Sequence, residues 1–229
     1  MATSTRASAG APDLVKWSFA SLMAVSVLIV LWIDERFWIN PADPHWKHIA
    51  PVRTLLPIHG LAGVTALVTG ALQMSSRVRA RTALHRTLGK VYIGAVCISA
   101  PVAIYMGISP LEPATMHVEQ IFQGGLWLLS ALIAWACIRS GQMALHKAWM
   151  MRSYAFTLIF VLSRVPDAWV SSYTDQGIAD LLWALVVVAA ISPELILTAT
   201  ALIRIRNAKA RQARGRASAE LQGGVASQS

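Results

Sequence analysis

Long apolar runs alternate with short polar clusters along the chain. Six runs stand out, roughly 15–33, 53–74, 88–107, 117–138, 149–165 and 180–203, the fifth being the shortest. A hydrocarbon core about 30 Å thick is crossed by about 20 apolar residues rising 1.5 Å each, so the pattern predicts about six transmembrane helices. The connections are too short to fold as a second domain. The fold class is therefore all-α, a polytopic membrane helix bundle spanning 14–206. Short polar residues fill 1–13, and Arg, Ala, Gly, Gln and Ser dominate 207–229, so both segments read as disordered. The run after Lys16 is too long for a signal-peptide core and reads as a retained anchor.

Composition agrees: 55% of residues are hydrophobic and 14% charged, with a net charge of +9. The placement of the charge says more than its size. Arg77, Arg79, Arg81 and Arg86 separate the second and third runs, Arg139 and Lys147 the fourth and fifth, and Arg204, Arg206, Lys209, Arg211, Arg214 and Arg216 follow the sixth. The alternate connections carry Asp34, Glu35, Asp43, Glu112, Asp167, Asp175 and Asp180 with few cations. Cations gathered on one side place that side in the cytoplasm, with both termini there, in a multi-pass protein of the cell membrane. The basic excess thus sets topology and meets anionic lipid, which argues against a nucleic-acid partner. Association of two copies is compatible with such a bundle.

Four histidines then change the picture. His59 falls in the outer part of the second run and His117 at the outer start of the fourth; His85 and His146 fall at the inner starts of the third and fifth. Two pairs at two depths result, His59 with His117 and His85 with His146. Neutral imidazole ligates haem iron, and a non-covalent b-type haem between helices needs two facing histidines at one depth. Two haems b would form an electron path across the bilayer. From His59, steps of three and four reach Gly63, Ala66, Gly70 and Gln73, a stripe that leaves room for a macrocycle; Gly124 stands two turns below His117. The other reading stays open: small residues also let membrane helices pack closely, and the histidines are then polar packing groups, pH-responsive groups, or a metal site of one pair with Glu119. Cys97 and Cys137 lie inside apolar runs, and no Cys-x-x-Cys-His motif attaches a c-type haem.

The strings HGLAG (59–63), ALHRTLGKVY (83–92) and LHKAWMMRSYAFT (145–157) resemble the signature blocks of the membrane-protein family called domain of unknown function 2306, over roughly 55–200. That resemblance implies no activity. The layout of helices and histidines is also similar to the cytochrome b-561 family of di-haem transmembrane oxidoreductases. It implies His59 with His117 and His85 with His146 as axial ligands. In ALQMSSRVRARTALH (71–85) it implies that Arg77, Arg79 and Arg81 meet an anionic reductant. With Arg86 they would draw in a quinol or small anionic donor or neutralise haem propionates. The competing function is a non-redox membrane protein, a small transporter or interaction module. No Gly-rich phosphate loop, hydrolase elbow or His-Glu-x-x-His motif is present.

Further polar groups fall inside the runs. Glu194, beside Pro193, needs a partner in the membrane, and Arg152 on the fifth run can reach it. Pro193 is expected to kink its helix. Gln120 and Gln123 can bond across helices, and Arg164 with Asp167 forms a local pair. Trp38, Trp46, Trp127, Trp149, Trp169 and Trp183 read as interfacial anchors.

Overall fold

The computed structural model describes residues 52–108, 114–163 and 175–226. The first predicted helix, His45, His48, Trp38, Trp46, Trp169, Arg164 and Asp167 lie outside the described residues. Those described are helical: α1 (Leu55–Gln73), α2 (Ser76–Ala80), α3 (Thr82–Gly107), α4 (Ala114–Arg139), α5 (Met143–Leu162) and α6 (Asp175–Ala226). Four of them, α1, α3, α4 and α6, are long and apolar enough to cross a membrane. α5 is less apolar because His146, Lys147, Arg152, Ser153 and Thr157 all stand on it.

Helices α1, α3, α4 and α5 close into a ring. α1 packs on α3, α3 on α4, α4 on α5 and α5 back on α1, while α6 lies outside against α5 and α4. Small residues set the close approaches. A side chain at Gly124 would strike Ile104 and the Ala100 carbonyl, and one at Gly107 would strike Gln120, so α3 and α4 touch nearly backbone to backbone. Ala66, Val96, Ala100, Ala131 and Ile159 make the apolar core of the ring.

The turns of the basic end are tight. α4 stops at Gly141, whose φ of +72° suits a residue without a side chain. The Gln142 N–H reaches back to the Cys137 carbonyl (2.8 Å) and the Gly141 N–H to Ile138 (3.2 Å), the paired bonds that terminate a helix on a glycine. α5 can therefore begin at Met143, six residues before the apolar run starts, which puts His146 in its first turn. α3 likewise begins at Thr82 rather than 88, carrying His85 and Arg86 on the helix. Apolar runs mark the part of a helix in lipid, and the backbone continues helical beyond it.

Residues 207–226 continue α6 as helix, where low complexity predicts disorder; Ala, Arg, Lys and Gln are strong helix formers. From Thr198 to Gly215 every residue is exposed. α6 also runs on through Pro193 as one element.

Candidate functional site

The two histidine pairs belong to the two diagonals of the ring. His59 stands on α1 and His117 on α4, and His85 stands on α3 and His146 on α5. At the basic end His85 comes within electrostatic range of His146 and of Arg79. The His146 Nδ1–H donates to the Ala134 carbonyl of α4 at 2.9 Å. A carbonyl only accepts, so the proton is on Nδ1 and the ring's lone pair is on Nε2. His85 differs: its Nδ1 is buried and has no hydrogen-bond partner. Arg77, Arg79, Arg81 and Arg86 are all exposed around this end.

Toward the other end, His59 is held by α3. Its Nδ1 lies 2.9 Å from Ser99 Oγ and 3.1 Å from the Ser99 carbonyl, while the Ser99 hydroxyl donates to the His59 carbonyl at 3.1 Å. The Ser99 hydroxyl can accept from Nδ1 or donate to it, so His59 is held against α3 in either tautomer. The Phe160 ring tilts against the imidazole, centroids 5.9 Å apart. His117 is partly exposed in the first turns of α4. Two residues on, Glu119 is fully buried, and neither carboxyl oxygen has a hydrogen-bond partner. Among the described residues no group of three or more His, Cys, Asp or Glu could hold a metal ion, so the expected cluster of one histidine pair with Glu119 is not assembled.

Between the two tiers the bundle is filled. Tyr92, fully buried on α3, bonds across the ring to Ser153 Oγ (2.8 Å) and Thr157 Oγ1 (2.9 Å) on α5. Trp127 of α4 donates its Nε1–H to the same Thr157 oxygen at 3.0 Å, and the Thr157 hydroxyl donates to the Ser153 carbonyl. Tyr154 donates to the Leu67 carbonyl on α1 at 3.2 Å. These rings take the space expected to be open. A side chain at Gly70 would collide with Tyr154 and meet Tyr92 at 3.1 Å, and one at Gly63 would meet Phe160 at 3.0 Å. The small-residue stripe of α1 thus admits aromatic side chains from α3 and α5 at mid-bundle, not a macrocycle; Gly124, packed on α3, leaves no room either. Trp127 is also corrected. It is a core residue, 4% exposed, because its N–H finds a buried acceptor. Residue order alone had no way to show that Trp127, Tyr92 and Thr157 converge, although Ser153 and Thr157 stand one helical turn apart on one face.

The expected ion pair is present. Arg152 Nε and Nη2 reach the two Glu194 oxygens at 2.6 and 3.0 Å, joining α5 to α6. The guanidinium also stacks over the Trp149 ring at 4.6 Å, and Trp183 of α6 meets Phe122 of α4.

A ring of long apolar helices with polar groups turned inward defines a polytopic helical membrane protein. The chain belongs to the predicted membrane protein family DUF2306, whose model matches residues 56–203, more than half its length. No curated protein and no solved structure matches it.

Proposed function

We propose that the protein is a b-type di-haem electron carrier, with His85 and His146 ligating one haem b at the basic end and His59 and His117 a second toward the other. The observation that carries this reading is the pairing of His85 and His146 across a ring diagonal, with one imidazole oriented and the other left with a buried orphan nitrogen. The donor chemistry of the histidines fits the group, while the space beside Gly63, Gly70 and Gly124 is filled and offers a macrocycle no room at mid-bundle. Nδ1 donation to a backbone carbonyl presents Nε2 as the ligating atom and raises its basicity, and His146 is set this way. Two histidines suffice for haem, where a bare ion needs three or more protein ligands. Bound haem supplies a one-electron iron couple. The chain's own residues would orient the ligands and, through Arg77, Arg79, Arg81 and Arg86, attract a quinol or small anionic donor. In this reading the basic end and both termini face the cytoplasm of a cell membrane.

The non-redox alternative is less well supported. A small transporter needs a solute path, and the Tyr92–Ser153–Thr157–Trp127 knot crosses the middle of the ring. Electrons tunnel through packed side chains; solutes do not. The test is optical. Protein purified from cells supplied with haem is expected to show a Soret band, with sharp α and β bands on dithionite reduction. A colourless protein under those conditions refutes the reading.

A further inference from the structure

α6 presents two faces of different kinds. Val186, Ala189 and Pro193 are buried against the ring. Beside that face Val187, Ile191, Glu194, Thr198, Ala201 and Ile205 are all exposed, with Glu194 turned to Arg152 of α5. They follow one another in steps of four, three, four, three and four. That spacing is the seam by which one helix packs along another in a supercoiled pair. Thr198 and Ala201 are small enough for close approach between membrane helices.

Lipid alone does not explain this seam, because Glu194 is in it. Its side chain is 53% exposed, and it lies ten residues before Arg204, about 15 Å along the helix, inside the apolar stretch. A charged group facing hydrocarbon is costly even when paired, and membrane proteins turn such groups toward protein or water. The pair also has capacity left over. Arg152 offers five N–H donors and uses two on Glu194, and each carboxylate oxygen keeps a lone pair.

A two-fold axis places like surface against like surface. Along this seam it would bring the two Arg152–Glu194 pairs side by side, each guanidinium meeting the other copy's carboxylate. The helix beyond the apolar stretch points the same way. From Arg204 to Gly215 α6 continues as helix and is exposed on every side, so the line of the seam runs on beyond the apolar stretch. We propose that a second copy of this chain docks in parallel along the Val187–Ile205 seam, with the Arg152 and Glu194 side chains of both copies forming one charged cluster at its centre. The proposal does not depend on haem.

The test uses the full chain in membranes, with Cys97→Ser and Cys137→Ser to remove native thiols. Oxidation of Ile191→Cys is expected to give a disulfide-linked product of twice the 24.8 kDa of one chain, while Leu61→Cys on α1, equally exposed to the surroundings, is not. Ala201→Trp leaves the fold of one chain intact because that position is exposed. Added to Ile191→Cys, it should lower cross-linking to the Leu61→Cys level and halve the mass measured by light scattering. Exchanging the charges, Arg152→Glu with Glu194→Arg, should keep the dimer. Equal cross-linking at Leu61 and Ile191 would overturn the proposal, and so would a monomeric mass for the wild-type chain. A disulfide from Ile191→Cys to a cysteine placed within residues 15–33 of the same chain would overturn it too, since the chain's own first apolar run would then cover the seam.

Discussion

The middle of the ring and its two ends are built on opposite terms. In the middle, Tyr92, Trp127, Ser153 and Thr157 are buried and every polar atom has a partner. On either side stands a buried polar group with none: His85 Nδ1 at the basic end and both Glu119 oxygens toward the other. A satisfied network holds helices together. An orphaned group costs stability. Substitution should therefore damage the middle and spare, or even stabilise, the ends.

The largest effect is expected for Tyr92→Ala, which empties the centre of the ring and strands Ser153. Loss of a buried aromatic costs about 3–5 kcal/mol, read as a large fall in the thermal unfolding midpoint in detergent; a midpoint within a degree or two of wild type would remove the knot from the account. Thr157→Val keeps the shape and deletes the acceptor for the Trp127 N–H. About 1–3 kcal/mol should be lost, together with a shift in tryptophan fluorescence. Gly70→Ala is expected to cost about 1–3 kcal/mol through overpacking on Tyr154 and Tyr92, and an unchanged midpoint would mean those rings are not seated there.

At the ends the sign reverses. Glu119→Met replaces an unsatisfied buried carboxyl with an apolar side chain of similar length, and should stabilise the protein by about 1–3 kcal/mol; destabilisation would reveal that the carboxyl has a partner. His85→Ala should shift apo-protein stability by less than about 0.5 kcal/mol, since a partly exposed ring without a bond at Nδ1 is lost. That small stability change with a large loss of bound cofactor would separate a ligand from a packing residue.

Much of this fold was legible in residue order because lipid imposes a simple demand. Backbone groups must be satisfied within the segment, so the runs at 53–74 and 117–138 fall within two to three residues of α1 and α4. Charge and depth also predicted the Arg152–Glu194 pair, since a carboxylate inside α6 has few cations in reach. The helix ends at Thr82 and Met143 were less legible, because polar residues prolong a helix once it leaves lipid. The interior was least legible. Gly63 and Gly70 fit a cofactor and an aromatic plug equally well as a sequence pattern, and only the positions of Tyr92, Tyr154 and Phe160 decide between them. That His85 and His146 both stand at the basic end was readable from helix order and end position alone.

The central claim is that the histidine pair at the basic end ligates one of two haems. The most direct measurement is the haem-to-chain ratio of purified protein, by pyridine haemochrome absorbance against amino-acid analysis, in wild type, His85→Ala and His146→Ala. The account predicts two haems per chain in wild type and one in each variant, with the thermal unfolding of the apo-proteins alike. A wild-type ratio of zero, or a ratio unchanged in both variants, would contradict it.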